Sequence, residues 1–215
     1  MSKLYGKVQQ DSVLAVAEGQ PGPLKASKRG DLVCIDWYTQ MAMEGRCYSV
    51  RAGTISVPLV GDLLITDSAA EMCADAATGY TITPCWIDVS INLNTGILNE
   101  MGAKSVGAVS TAGTAFVPLP LYLGGSAAAT TARVDAAGAV SVTAEAATTT
   151  RRHWANANPL AVGAGHGITS FNWSPVAPPT LVGPACFYVQ IAASGTGPSY
   201  FASFDYVELT TASVS

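Results

Sequence analysis

Short runs of alternating hydrophobic and polar residues dominate this chain, and they predict strands rather than helices. The clearest run is residues 80–96, YTITPCWIDVSINLNTG, in which one face of an extended strand carries only aliphatic side chains: Ile87, Val89, Ile91 and Leu93. We expect that face to point into the core. Pro84 predicts that the strand begins at an edge or a bulge, because proline cannot donate to the hydrogen-bond ladder.

Further short runs follow at about the 8–12-residue spacing that is typical of sandwiches and barrels. Residues 199–209, SYFASFDYVEL, predict a C-terminal strand with aromatic residues on one face. The prolines in residues 115–125, AFVPLPLYLGG, favour an extended edge segment and exclude a helix. VDAAGAVSVT, residues 134–143, predicts a hairpin. Other candidate strands are DLVCIDWY, RCYSVRAG, TISVPLVG, DLLIT, GITSFNW and TLVGPACFYVQIAA, which bring the expected number to about eight to eleven.

One stretch favours a helix. Ser68-Ala-Ala-Glu71 matches a capping box, which predicts at most one short helix at about residues 69–77 before Thr78-Gly79 stops it.

The first 30 residues differ from the rest of the chain. They end in GQPGPLKASKRG, whose glycines and prolines predict an extended arm, and one β-sandwich domain is expected over residues 31–215. The arm is net +3, because two carboxylates oppose five cations: Lys3, Lys7, Lys25, Lys28 and Arg29. Two interpretations remain open, a solvated terminus and an arm that contacts nucleic acid, lipid or an acidic neighbour.

Composition narrows the class of protein. Charged residues make up 12% of the chain and hydrophobic residues 49%, with a net charge of −4. A soluble domain usually has about 25% charged residues, so we expect neighbouring subunits to cover much of the outer surface. Every apolar run is shorter than the roughly 18 residues of a membrane-spanning helix, and no export signal is predicted.

The cysteines do not form a motif. Cys34, Cys47, Cys73, Cys85 and Cys186 are widely spaced, with no CxxC and no clustering with histidine, so buried free thiols are expected rather than a metal site. One disulfide remains an alternative.

The sequence shows no residue pattern that is typical of an active site. Only His153 and His166 could act as a base for a nucleophile, no serine lies in a G-x-S-x-G elbow, and the glycine-rich stretches lack a phosphate-binding pattern. Paired carboxylates remain an untested route to catalysis. The sequence predicts a protein that is not an enzyme and has no cofactor.

The stretch TTTRRHWANANP, residues 148–159, brings together two arginines, a histidine and a tryptophan, which are rare elsewhere in this chain. Arg151, Arg152, His153 and Trp154 are expected where a strand leaves the sheet, because Asn-Ala-Asn-Pro is typical of a turn. Arginine and tryptophan are enriched at interface centres, which makes these four residues a candidate subunit interface. A solvated loop and a ligand or nucleic-acid site remain alternatives.

The arm GQPGPLKASKRGD, followed by strands such as TPCWIDVSINLNTG and GPACFYVQIAA over residues 31–210, resembles viral structural proteins of the single jelly-roll type. The resemblance implies an all-β antiparallel sandwich that assembles with copies of itself into a shell, in particular that of a bacteriophage. It also implies assembly in the host cytoplasm, presence in the virion, and contact with other capsid proteins.

Other functions remain open on the same sequence. One is a decoration, spike or tail component, or a subunit of an extracellular filament. Another is a carbohydrate-binding β-sandwich with stacking platforms drawn from Trp37, Trp86, Trp154 and Trp173. An enzyme would require His153 or His166 to titrate abnormally in a pocket.

Overall fold

The structure, a computed structural model, describes residues 36–63, 68–93, 99–143, 150–158, 169–193 and 197–214. Over these ranges the chain is mostly β, which confirms the all-β prediction. It forms helix α1 (Trp37–Met43), a 3-10 helix (Thr211–Ser213) and the strands β1 (Cys47–Ala52), β2 (Leu59–Val60), β3 (Ala69–Ala70), β4 (Met72–Ala76), β5 (Tyr80–Leu93), β6 (Asn99–Val106), β7 (Thr111–Ala112), β8 (Thr114–Phe116), β9 (Leu119–Pro120), β10 (Thr131–Val134), β11 (Val140–Ser141), β12 (Thr150–Asn158), β13 (Thr169–Trp173), β14 (Leu181–Val182), β15 (Ala185–Ala193) and β16 (Ser199–Thr210). These sixteen strands exceed the predicted number because six have only two residues.

Helix α1 lies where a strand was predicted. Asp36 starts it, since the carboxylate accepts a hydrogen bond from the backbone N–H of Thr39 at 2.9 Å. The prediction of a strand in DLVCIDWY is therefore wrong from Asp36 onward, and residues 31–35 lie outside the described ranges. Across the described residues, no helix combines the length and the apolar character needed to cross a membrane.

The helix predicted at residues 69–77 is absent, and β3 and β4 occupy this stretch instead. Glu71 does not complete a capping box. Oxygen atoms of its buried carboxyl group accept hydrogen bonds from the backbone N–H of Ile191 at 2.6 Å and from that of Asp62 at 3.3 Å. Tertiary hydrogen bonds to another strand and a loop therefore outweigh the local helix signal.

Two antiparallel sheets form most of the molecule. The first has the order β13-β5-β16-β1-β9, with β14 also pairing with β5 and β2 with β16; the second has the order β12-β6-β15-β4-β10-β8. The eight longer strands of these sheets pair in a nested way along the chain: β1 with β16, β4 with β15, β5 with β13 and β6 with β12. The first strand thus pairs with the last, the second with the last but one, and so inward.

The main core lies between these two sheets and draws side chains from both. The first sheet contributes the predicted aliphatic face of β5, and Ile87, Val89 and Ile91 are all buried. The predicted C-terminal strand is present as β16, and Tyr200, Phe204 and Tyr206 on its aromatic face are buried. The second sheet contributes Met72, Met101, Phe187, Val189 and Ile191, among others. Pro84 lies at a bulge as expected, because the register of β5 against β16 shifts between Asp205 and Tyr206.

A third, small sheet with the order β3-β11-β7 supplies a second core. Ala70 and Val140 pack with Cys73, Cys186 and Tyr188, which project from β4 and β15. The predicted hairpin in residues 134–143 is wrong, because β10 pairs with β4 and β8 whereas β11 pairs with β3 and β7. The polar–apolar pattern predicted extended structure here but not its partners.

Candidate functional site

Strand β12 is the last strand of its sheet and carries the four candidate interface residues, Arg151, Arg152, His153 and Trp154. They lie within the strand, so the prediction that the chain leaves the sheet here is wrong. A bulge interrupts the strand, since Arg152 pairs with Lys104 whereas Trp154 pairs with the next residue, Ala103. The extra residue is His153.

The four residues fall into two pairs, one in contact with the core and one exposed to solvent. His153 Nε2 lies 2.7 Å from the hydroxyl of Ser105, and its ring centroid is 5.7 Å from that of Phe187. Trp154 is half-buried against the main core. By contrast, Arg151 and Arg152 are exposed. The two arginines therefore lie on the solvent-exposed surface of this edge strand.

His153 and Ser105 have the hydrogen-bond length of a base and a nucleophile. Burial lowers the pKa of His153, so the ring is neutral at neutral pH. However, Ser105 is only 8% exposed, and His153 rests on a core phenylalanine. We interpret the pair as a brace between the edge strand and the core. His166, the other candidate base, lies outside the described residues.

The strand register gathers cations that the sequence keeps apart. Arg152 on β12 pairs with Lys104 on β6, which pairs with Tyr188 on β15, then Cys73 on β4 and Arg133 on β10. Directly opposite residues project from the same face of a sheet. Three of the four cations that follow residue 51 therefore lie in one row across the outer face of the second sheet.

Large apolar side chains are exposed along residues 117–123, here called the apolar segment. The exposed fractions are 73% for Val117, 42% for Leu119, 37% for Leu121, 54% for Tyr122 and 92% for Leu123. The segment contains β9, which ends the first sheet beside β1 and confirms the predicted edge segment. Its sequence VPLPLYL contains no charged residue, and this signal could have indicated the exposed apolar surface in advance.

Two of the four tryptophans share a surface cleft. Trp37 and Trp86 are 46% and 47% exposed, and they line a cleft of about 300 Å³ with Tyr38, Asp36 and Pro175 among its other residues. Hydrogen bonds from Thr39 hold the pKa of Asp36 below its usual value, so this carboxyl is ionised at neutral pH.

Trp154 and Trp173 do not reach this cleft. Both are half-buried and pack against the main core, and the Trp173 ring stacks on Phe187 at 6.1 Å. Of the four tryptophans from which stacking platforms could be drawn, only Trp37 and Trp86 are exposed enough to stack on a ligand.

Sequence spacing missed a buried group on the outer face of the second sheet. The Sγ atoms of Cys73 and Cys186 and a carboxylate oxygen of Asp75 all lie within 4.8 Å of one another. All four described cysteines are free, as predicted, and Cys47, Cys73 and Cys186 are buried; Cys34 lies outside the described residues. Burial raises the pKa of Cys186 well above its usual value.

The predicted N-terminal arm, residues 1–30, also lies outside the described residues, with its candidate contacts Lys3, Lys7, Lys25, Lys28 and Arg29. No protein-family model, curated protein or solved structure matches the chain.

Proposed function

We propose that this chain is a structural subunit that assembles with copies of itself into a viral shell, of the kind that encloses a bacteriophage genome. The observation that carries the proposal is the uncharged, exposed apolar segment beside a sheet edge, in a chain with only 12% charged residues. A surface of this kind is typical of contact with another protein.

The strand pairing supports the jelly-roll part of this proposal. A jelly roll is a double-sheet sandwich of eight strands arranged as two Greek keys. A long antiparallel ribbon folded over on itself gives the nested pairing of first strand with last, second with seventh, third with sixth and fourth with fifth. The eight longer strands follow this order. The two-residue strands β2, β9 and β14 add to the margins of the first sheet, and β10 and β8 extend the second sheet beyond β4.

Assembly would use two different surfaces. The apolar segment lies at the β9 edge of the first sheet, whereas Arg151 and Arg152 lie on the edge strand of the second sheet. Different patches that contact each other head to tail generate rings when the rotation between subunits closes. The basic arm, residues 1–30, would add contacts to a neighbouring subunit, nucleic acid or lipid. The subunit would act in the virion after assembly in the host cytoplasm, without catalysis.

Negative-stain microscopy of the purified full-length chain and of a chain lacking residues 1–30 tests the proposal. We expect regular particles or rings from the full-length chain, and fewer or less regular particles from the shortened one. Micrographs that show only single subunits, for both chains and at every concentration, would contradict the proposal.

The cleft between Trp37 and Trp86 favours a second candidate function, carbohydrate binding. Half-exposed tryptophan faces stack on sugar rings, and the Asp36 carboxylate accepts hydrogen bonds from hydroxyl groups. Glycan-array screening followed by calorimetry tests it. Saturable binding that Trp86→Ala removes and Val182→Ala leaves intact, by a chain that stays a monomer, would favour this function over the shell.

A further inference from the structure

We infer that Cys73, Asp75 and Cys186, with the hydroxyl of Ser110, form a binding site for a thiophilic divalent metal ion of the Zn²⁺ class. This inference goes beyond the proposed function and does not depend on it. The three side chains come from neighbouring strands, and their ligand atoms lie within 4.8 Å of one another. None of the four residues is more than 4% exposed.

The sheet fixes the position of each ligand. Cys73 and Asp75 are two residues apart on β4 and therefore share one face of the strand. Cys186 on β15 is directly opposite Asp75, so its side chain projects from the same face. The small sheet of β3, β11 and β7 packs over this face through Ala70 and Val140. The ligands are thus held by paired strands and enclosed from solvent.

Ser110 places a further oxygen beside these three ligands. Its hydroxyl lies 3.1 Å from Cys73 Sγ and 2.6 Å from an oxygen of Asp75, and its backbone N–H donates to the other Asp75 oxygen at 2.8 Å. In a tetrahedral zinc site with bonds of about 2.0–2.3 Å, the ligand atoms lie about 3.3–3.8 Å apart. Movements of about 1 Å or less would convert the present arrangement into that geometry.

The donor atoms select the type of metal. Two thiols favour zinc and similar soft ions over Mg²⁺ and Ca²⁺, which prefer oxygen ligands. Ligands that are enclosed from solvent, without an open position for a substrate, are typical of a structural site rather than a catalytic one.

A neighbouring cation suits the charge of the occupied site. Two thiolates and one carboxylate around Zn²⁺ leave one net negative charge in a buried place, where charge is costly. Arg133 on β10 is directly opposite Cys73, on the same face of the sheet. Its Nε atom is buried and has no hydrogen-bond partner among the described residues. A thiolate formed on metal binding would offer that N–H an acceptor.

Bound metal would join β4, β15 and the loop that carries Ser110. It would therefore stabilise the folded chain in proportion to the metal concentration, because the unfolded chain does not hold the ligands together.

The test is a Co²⁺ titration of the reduced, metal-stripped full-length chain, produced without a histidine tag. We expect one Co²⁺ per chain, with visible bands of tetrahedral intensity and a thiolate charge-transfer band in the near ultraviolet. Stoichiometric Zn²⁺ should displace these bands and raise the melting temperature. Absence of the bands, or a Cys73–Cys186 disulfide in the protein purified without reductant, would overturn the inference.

Matched variants locate the site. Cys73→Ser and Cys186→Ser should each remove the charge-transfer band, whereas Cys85→Ser, which removes a thiol outside the group, should leave it unchanged. Arg133→Gln should weaken Co²⁺ binding by about 10–100-fold while the band positions stay the same, as for a residue that supports the ligands from outside. Retention of the band in both cluster variants, with far-ultraviolet circular dichroism showing them folded, would also overturn the inference.

Discussion

The substitution Leu123→Ser isolates the contribution of the apolar segment to assembly. Leu123 is 92% exposed in the single chain, so the substitution removes little that stabilises the fold, and the free energy of unfolding should change by less than about 0.5 kcal/mol. Burial of a whole leucine side chain contributes about 1.5–3 kcal/mol. A neighbour that covers the exposed 92% of Leu123 would therefore contribute about 1.4–2.8 kcal/mol at each contact.

This energy predicts a loss of about 10–100-fold in the association constant of each contact. Sedimentation velocity over a concentration series measures the loss, and urea unfolding checks that the single subunit is intact. Val176→Ser is the matched control, because Val176 is fully exposed but lies in the tryptophan cleft, outside the apolar segment. Association that is unchanged by Leu123→Ser but weakened by Val176→Ser would refute the assignment of the apolar segment as the interface.

Three further predictions concern stability, and urea unfolding measures each of them. Phe187→Ala should lower the free energy of unfolding by about 3–5 kcal/mol, since this buried ring lies between both sheets; a loss below about 1 kcal/mol would contradict that packing. Burial raises the pKa of Glu71 well above 4.5, so the folded chain keeps a proton that the unfolded chain releases, and stability falls as pH rises above that value. Glu71→Gln should therefore reduce the loss of stability between about pH 5 and pH 8, and an unchanged pH profile would count against a buried, protonated Glu71. Burial lowers the pKa of His153 below 6.5, so below that pH the unfolded chain binds a proton that the folded chain does not, and stability falls. His153→Gln should remove this part of the decline. An equal decline in both proteins would contradict the burial of His153.

Strands with one buried face could be predicted from the sequence, because their alternation is visible. On β5, Ile87 and Val89 are buried, whereas Trp86 on the opposite face is 47% exposed. The aromatic face that was predicted for β16 is also buried. Strands that are buried on both faces lose this pattern. All five residues of β4 are buried, and its sequence MCADA shows no alternation of apolar and polar residues. Without that alternation, the nearby capping-box pattern led to the wrong prediction of a helix.

The candidate sites could not be predicted from spacing, because strand register creates them. Cys73 lies beside Cys186 only after β4 has paired with β15, and Trp37 and Trp86 line one cleft only after helix α1 has packed beside β5. The edge residues Arg151 and Arg152 could be found because cations are rare in this chain. The bulge at His153 gave no local signal, since neither glycine nor proline marks it.

The native mass of the purified full-length chain, measured by light scattering over a range of concentrations, tests the central claim most directly. Assembly through the apolar segment predicts a mass many times that of the 22.0 kDa single chain, decreasing toward it on dilution. A mass of one chain at every concentration would contradict the account.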